Sequence, residues 1–187
     1  MARIRVIEPD EATGELADIY ADLTRSRGRL AEVHKIQSLN PQSIRDHMAL
    51  YTTVMFSRSP LSRAEREMMA VVVSATNGCA YCIEHHGQAL LHFWKDRGRF
   101  DALVEHRADD PALTAREAAL CRYAELVTAS PDAPGAGEAL NALRAAGLDD
   151  RAVLDATLVV SYFNFVNRVV LALGVELESD AGGYAYE

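Results

Sequence analysis

The stretch MMAVVVSAT, residues 68–76, constrains the fold of this chain more than any other segment. It continues a helical pattern, and as a helix it would present apolar or small side chains on every face. A helix on the protein surface carries a polar face, so this one must be covered by protein on all sides. The stretch therefore predicts a central helix that other parts of the fold surround.

The remaining sequence predicts further helices. Apolar residues recur at intervals of three and four, and no run of alternating apolar and polar residues is convincing. Alanine, leucine, glutamate and arginine, which favour helices, are abundant. We therefore expect an all-α fold, a helical bundle in which residues 1–187 form a single domain and residues 175–187 form a loose tail. The predicted helices span residues 11–25, 29–38, 42–57, 62–77, 80–95, 97–106, 114–129, 135–146 and 149–173.

Two of the predicted helices begin with a capping box, in which a serine or threonine is followed three residues later by glutamate. These boxes are SRAE at 62–65 and TARE at 114–117. Their similarity suggests a degenerate internal repeat of a helical pair. The second copy lacks the C-x-x-C motif of the first and has Ala119 in the place of Glu67.

Charge and composition exclude several classes of partner. The chain has 19 lysines and arginines against 27 acidic residues, and a net charge of −8 opposes binding to nucleic acid or to an anionic membrane. The longest uncharged run, residues 68–83, is too short to span a bilayer. The first residues lack the apolar centre of a secretory signal, so we expect a cytoplasmic protein. That compartment is reducing, and a C-x-x-C there is better interpreted as catalytic, redox-active or metal-binding than as part of a disulfide framework.

The segment NGCAYCIEHHG, residues 77–87, carries the chemistry of greatest interest. The NG pair is a turn signal that ends one helix and lets another begin near Cys79. On the new helix Cys82 and His86 share a face, whereas His85 is expected to face water. Cys79 precedes Cys82 by three residues, which is close enough for a disulfide. The spacing thus permits redox chemistry.

Glu67 opens the apolar stretch without a local structural reason, because the capping box already uses the preceding glutamate. If the two helices reverse at the NG turn, Glu67 and His86 become nearly level. One line would then contain the acid of Glu67, the imidazole of His86 and the thiol of Cys82. Such a line can move protons. A helix N-terminus and a nearby imidazole also lower the pKa of a thiol, and the thiolate is the attacking form.

Other interpretations of the same residues remain open. Cys79, Cys82 and His86, with or without Glu67, have the ligand types of a zinc site, although structural zinc usually draws its ligands from two separated segments. Alternatively, the two cysteines are buried and inert. Cys121 lies on the apolar side of its helix and is expected to fill the core.

The last predicted helix carries a polar row. Its members are Ser161, Asn164, Asn167 and Arg168, which recur at three and four among apolar residues. They form either a solvated stripe or a set of interhelical hydrogen bonds, or else the wall of a substrate pocket or a subunit contact.

Taken together, Glu67, eleven mostly apolar residues and CAYCIEHH resemble the alkylhydroperoxidase D-like family of the carboxymuconolactone decarboxylase superfamily. The shared pattern is E-x11-C-x-x-C-x3-H. The resemblance is strongest over residues 41–95, the expected catalytic core. Residues 113–174 also resemble the peroxidase-related branch of this family, so most of the chain is covered.

The resemblance implies an all-helical homo-oligomer and a peroxidase that needs no cofactor or metal. By the family pattern, Cys82 attacks the peroxide and Cys79 resolves the resulting sulfenic acid to a disulfide. His86 and Glu67 form the proton relay. Tyr81 is a departure and a possible supporting residue, because family members often have histidine directly before the second cysteine. The decarboxylase branch lacks the cysteine pair, so decarboxylation is not expected.

The leading hypothesis is a thiol-dependent peroxidase that reduces organic hydroperoxides or hydrogen peroxide and is recycled by a dithiol reductant of unknown identity. A general disulfide oxidoreductase or redox sensor is one alternative, and a non-enzymatic zinc-stabilised helical protein is another. The helices within residues 62–95 are apolar on more than one face, which predicts contact with a second subunit in a homo-oligomer.

Overall fold

The computed structural model describes residues 2–178, and this part of the chain is helical with no strand. The all-α prediction is therefore confirmed. A single turn of 3-10 helix, Arg107–Asp109, follows the sixth helix. The α-helices are α1 (Gly14–Arg27), α2 (Glu32–Lys35), α3 (Pro41–Phe56), α4 (Arg63–Thr76), α5 (Ala80–Trp94), α6 (Arg97–His106), α7 (Ala115–Ala129), α8 (Ala136–Ala145) and α9 (Asp150–Leu173).

Most predicted helix boundaries lie within two residues of the observed ones, but α2 is much shorter than predicted. Sequence pattern suggested a helix over 29–38, whereas α2 is Glu32–Lys35. The chain continues in tight turns, in which the amides of Gln37 and Ser38 donate to carbonyls three residues earlier. Pro41 disfavours helical geometry in the residue before it, so the next helix starts afresh there.

Helix α4 is the central element of the bundle. Every residue from Arg66 to Ser74 is buried, and α4 packs against α5, α7 and α9. The predicted central helix is therefore confirmed. Because helices of the same chain cover most of α4, its apolar faces are not available to a second subunit. Phe93, on α5, is 37% exposed, so the contact expected from residues 62–95 stays a prediction.

Both predicted capping boxes are present. The Ser62 hydroxyl accepts from the amide of Glu65, whose carboxylate accepts from the amide of Ser62 at 2.7 Å. Thr114 and Glu117 make the same reciprocal pair at the start of α7. The first box fixes where α4 begins, and Glu67 lies one turn later.

The turn between α4 and α5 sets the cysteines against the bundle. Gly78 has a φ of 70°, a left-handed conformation that glycine adopts without steric penalty. The amide of Cys79 then donates to the carbonyl of Ser74 at 2.8 Å. From this turn, α5 runs back along α4, which brings the beginning of α4 beside the middle of α5.

Helix α9 is long and apolar enough to cross a membrane by length and composition alone. However, 44% of its most apolar window is buried inside the bundle, where α9 packs against α3, α4 and α7. The core helix of a soluble protein passes the same test, so this feature is weak support for a membrane span.

Four residues of the predicted loose tail, 175–178, lie within the described part of the chain. The amide of Val175 donates to the carbonyl of Val170 at 3.0 Å, and the side chain of Glu178 accepts a hydrogen bond from the amide of Glu32 at 2.8 Å. These contacts bring the end of the described chain to α2. The rest of the predicted tail, 179–187, lies outside the described residues.

Candidate active site

The two cysteines of the C-x-x-C motif lie together at the start of α5. Their Sγ atoms are 2.6 Å apart, both thiols are free, and both residues are buried. Cys79 precedes the first turn of the helix and Cys82 lies within it. Cys82 lines a cavity of about 80 Å³, and Cys79 is not among the residues that line it. A small molecule in this cavity would therefore meet Cys82 first.

The contact between the two sulfurs makes their titration interdependent. The hydrogen bond with Cys82 lowers the pKa of Cys79, and the same bond, together with burial, raises the pKa of Cys82. The pair thus loses one proton readily and the second with difficulty. In this geometry the first charge is on Cys79, whereas access to the cavity favours Cys82. A proton can move between two sulfurs in contact, whereas packing fixes the cavity wall that exposes Cys82.

Glu67 and His86 form the predicted pair of acid and imidazole. His86 Nδ1 lies 2.8 Å from one carboxylate oxygen of Glu67, and Arg63 binds the other oxygen at 2.6 Å. Glu67 is fully buried. Burial alone would raise the pKa of this carboxyl, but His86 and Arg63 outweigh it and hold the pKa below its ordinary value. The predicted alignment of Glu67 with His86 is confirmed, and the buried acid is ionised.

This pairing determines how His86 can act. Since Glu67 occupies Nδ1, the other ring nitrogen, Nε2, is the one left to exchange protons with the cavity. His86 lies one helical turn after Cys82, and both residues line the same cavity. The arrangement can therefore relay protons between the cavity and a buried, charged acid.

The prediction that His85 faces water was wrong. Its side chain is only 10% exposed, and Nε2 lies 2.8 Å from Glu178. The helical pattern identified the side of α5 on which His85 lies, but the segment after α9 folds over that side. His85 lines the cavity instead.

Tyr81, between the two cysteines, belongs to the same group. Its hydroxyl donates to Glu178 at 3.0 Å and accepts from the amide of Val33 at 3.3 Å. Burial alone would raise the pKa of Glu178, but the hydrogen bond from His85 and the amide of Glu32 lower it to about 2. Tyr81 therefore connects the first turn of α5 to α2 and to the residues after α9.

Asn167 is a site residue whose role the sequence left open. It is fully buried on α9; it donates to Ser74 at 3.2 Å and accepts from Asn77 at 3.0 Å. Its hydrogen bond to Cys82 lowers the pKa of that thiol, against the larger opposing effects of Cys79 and burial. Asn167 thus supports both the turn before the cysteines and the sulfur that faces the cavity.

The rest of the polar row on α9 behaves differently. Asn164 accepts from Asn77 at 3.1 Å and donates to Thr128 at 3.0 Å, so interhelical hydrogen bonds explain this residue. Arg168 is exposed and folds back onto Asn164, and Ser161 is exposed. Among the four, only Asn167 contacts a cysteine of the motif.

Cys121 is a core residue, as predicted. It is fully buried in the main hydrophobic cluster, and burial raises its pKa well above the ordinary value. A buried thiol that resists ionisation reacts slowly with oxidants. Cys121 is thus separate from the reactive pair.

Within residues 2–178, no group of three or more histidine, cysteine, aspartate or glutamate side chains is arranged to hold a metal ion.

Residues 41–126 match the model of the carboxymuconolactone decarboxylase family. The uncharacterized protein YdfG of Bacillus subtilis is 27% identical over 117 residues, which cover 63% of this chain and 78% of YdfG.

Solved structures show the same fold over nearly the whole chain. An uncharacterized peroxidase-related protein from Silicibacter sp. is 26% identical, with a TM-score of 0.84 over 100% of this chain and 96% of its own. A peroxidase-related protein from Ralstonia eutropha, described as an alkylhydroperoxidase AhpD core, is 24% identical, with a TM-score of 0.82 over 96% of this chain and 93% of its own. The debrominase Bmp8 is 15% identical, with a TM-score of 0.76 over 93% of this chain and 91% of its own.

Proposed function

We propose that the chain is a thiol-dependent peroxidase of the alkylhydroperoxidase D-like type, because residues 41–126 match the carboxymuconolactone decarboxylase family and the fold is similar to that of peroxidase-related proteins. Its substrates are organic hydroperoxides or hydrogen peroxide. One observation carries the proposal: a cysteine pair with its sulfurs 2.6 Å apart lies beside a buried Glu67–His86 pair, and Cys82 and His86 line one cavity. A peroxide in that cavity would meet a thiol and a proton carrier together.

The first step oxidises Cys82. Its thiolate attacks one peroxide oxygen, an S–O bond forms, the O–O bond breaks, and an alcohol or water leaves with a proton. The product is a sulfenic acid on Cys82. Cys79 then attacks that sulfur, the S–S bond forms, and the sulfenic oxygen leaves as water. A dithiol reductant returns two electrons and two protons and restores both thiols.

Proton movement in these steps is the task of His86. Through Nε2 it gives a proton to the departing alkoxide and takes one from a thiol, and Glu67 stabilises the imidazolium that forms. Arg63 keeps Glu67 charged through its contact at 2.6 Å. General acid–base help of this type is worth on the order of 10²- to 10⁴-fold in rate.

The positions of the two cysteines determine which one attacks the peroxide and which one resolves the sulfenic acid. The contact with Cys82 lowers the pKa of Cys79, and the two sulfurs are close enough for a proton to pass between them. Moving that proton from Cys82 to Cys79 puts the thiolate on the sulfur that faces the cavity. Cys82 is therefore assigned the attack and Cys79 the resolution.

The burial of the two cysteines argues against the alternative of a general disulfide oxidoreductase or redox sensor. Cys79 is 0% exposed and Cys82 is 2% exposed. A protein disulfide would have to reach a buried sulfur, whereas a small peroxide can enter the cavity directly. The geometry favours a small oxidant, and the disulfide oxidoreductase is the second candidate. Reduction by a dithiol then requires a small reductant or local opening near the start of α5.

We assign the cytoplasm as the location, since a reducing compartment keeps the pair in its active dithiol form.

We also assign a homo-oligomer, on a different surface from the one that the sequence suggested. Three apolar side chains on α9 are between 39% and 53% exposed, and they follow helical spacing along the outside of the bundle. These residues, here called the α9 face, are Leu154, Leu158 and Phe165.

Thiol counting tests the peroxidase directly. The fully reduced chain has three cysteines, and one equivalent of cumene hydroperoxide should remove two thiols and leave Cys121 reactive only after denaturation. The matched control is the Cys82→Ser variant, which should consume no peroxide. Unchanged thiol content with both cumene hydroperoxide and hydrogen peroxide would show that the pair is not peroxidatic.

Stoichiometric zinc in protein purified without added metal, and lost on mutation of Cys79 or Cys82, would instead support the zinc-stabilised alternative.

A further inference from the structure

The cavity beside Cys82 has an unusual lining for this acidic chain. Among residues 2–178, two arginines, four histidines and three tyrosines line it and no carboxylate does, although the chain has a net charge of −8. Glu67 and Glu178 lie nearby but are already bound, to Arg63 and His86 and to Tyr81 and His85 respectively. The lining thus presents hydrogen-bond donors and positive charge to whatever enters.

Arg27 is the cation on the wall formed by α1. Its guanidinium lies over the ring of Tyr51, 5.0 Å from the centroid, and hydrogen-bonds to that side chain. Stacking of this kind holds the planar group in one orientation. Arg27 is close to His34, whose pKa is lowered to about 3 by burial, by His47 and by Arg27. The wall therefore carries a fixed cation beside a neutral imidazole.

His47 determines the hydrogen-bonding state of Tyr162. The amide nitrogen of Gln37 donates to the Val33 carbonyl and to His47 Nδ1, both at 2.8 Å. Burial lowers the pKa of His47 to about 4, so the ring is neutral and its proton lies on Nε2. That nitrogen donates to the Tyr162 oxygen at 2.7 Å, which leaves the hydroxyl proton of Tyr162 available to an acceptor in the cavity.

A buried and unpaired nitrogen of His34 also indicates that the cavity binds a ligand. Its side chain lines the cavity and is only 6% exposed. Its Nδ1 is buried and has no hydrogen-bond partner among residues 2–178. Leaving a buried polar atom unpaired is unfavourable, so such an atom in the wall of a cavity is typical of a binding site whose ligand is not part of the chain.

We infer that this cavity binds a small organic carboxylate, whose oxygens accept from Arg27 and Tyr162 while its other end lies at Cys82. A volume of about 80 Å³ holds the carboxylate and the few carbon atoms next to it. Within the proposed peroxidase, on which this last step rests, the substrate class is a short hydroperoxide that carries a carboxylate. The binding site itself does not depend on peroxide chemistry.

Alkylation of Cys82 by two nearly isosteric reagents tests the inference. Iodoacetate carries a carboxylate and iodoacetamide is neutral, and each fits a small cavity. Both form an S–C bond and release iodide. An ordinary thiolate reacts more slowly with iodoacetate because the charges repel, whereas a carboxylate site beside Cys82 should reverse that order. Peptide mapping by mass spectrometry assigns the alkylated cysteine, and the ratio of the two rates cancels changes in the pKa of the thiol.

Arg27→Gln should lower the rate ratio of iodoacetate to iodoacetamide at Cys82 by about tenfold or more, because it removes a charge-assisted hydrogen bond. Arg27→Lys keeps the charge but not the planar group and should give an intermediate ratio. Arg25→Gln is the matched control on the same helix, since its side chain is 75% exposed and pairs with Asp22. It should leave the ratio unchanged.

The inference is overturned if the wild-type ratio equals that of a free thiol, or if Arg27→Gln and Arg25→Gln behave alike. A reversed ratio in a chain that consumes no peroxide would support the carboxylate site and reject the peroxidase. Peroxide turnover in a chain whose ratio of iodoacetate to iodoacetamide rates equals that of a free thiol would support the peroxidase and reject the carboxylate site.

Discussion

Replacing Glu67 by glutamine tests the relay through both stability and rate. The change keeps the shape of the side chain but removes a fully buried charge that His86 and Arg63 both contact. Removing one partner of a buried ion pair typically costs about 3–5 kcal/mol. Here Arg63 is 16% exposed and the amide oxygen can still accept a hydrogen bond, so we expect a loss of about 2 kcal/mol at neutral pH.

The pH dependence of this loss has a definite sign. The folded chain holds the pKa of Glu67 below its ordinary value. The stability contributed by its charge is therefore fully present above the unfolded pKa of about 4.3 and is lost as the pH falls through the folded pKa. The difference in free energy of unfolding between wild type and Glu67→Gln should be largest near neutral pH and shrink below about pH 4.

Urea unfolding, followed by circular dichroism at neutral pH and at about pH 3.5, measures this difference. Stopped-flow oxidation by cumene hydroperoxide then measures the first step, which should slow by on the order of 10²-fold or more. Glu84→Gln is the control, because Glu84 is an exposed glutamate on α5 that contacts Gln88. Equal stability loss at both pH values, or an unchanged oxidation rate, would refute the assignment of Glu67 as the charged end of the relay.

Three further predictions concern the cysteines, the α9 face and the packing of α5. Cys79→Ser should still undergo one oxidation and leave a sulfenic acid on Cys82 that dimedone labels, but should not turn over; labelling of Cys79 at the normal rate in Cys82→Ser would reverse the two roles. Leu158→Lys should convert the oligomer to a monomer in light scattering, and a wild-type monomer at micromolar concentration would contradict the oligomer. Gly87→Ala should destabilise the chain by about 1–3 kcal/mol in urea unfolding, because the added Cβ would lie 2.6 Å from the Phe100 ring; an unchanged midpoint would show that the ring moves aside.

Local sequence determined most of the helices and the centre of the site. The capping boxes predicted where α4 and α7 start, because their hydrogen bonds join residues only three apart. The NG turn and the constant rise of a helix placed Glu67 opposite His86, and the observed contact of 2.8 Å follows from that spacing. Features that depend on short separations along the chain can be derived from the chain alone.

The surroundings of the site required the tertiary structure. His85 was expected in water, yet Glu178, from beyond α9, covers it. His34 and Tyr162 meet in one cavity wall although α2 and α9 are far apart in sequence. Several large apolar side chains of α9 are exposed and none of α4 is, because the bundle buries every residue of α4 from Arg66 to Ser74. Helical periodicity specifies which side of a helix is apolar or polar, but only the packing of distant segments decides which side another helix covers and which faces a cavity or solvent.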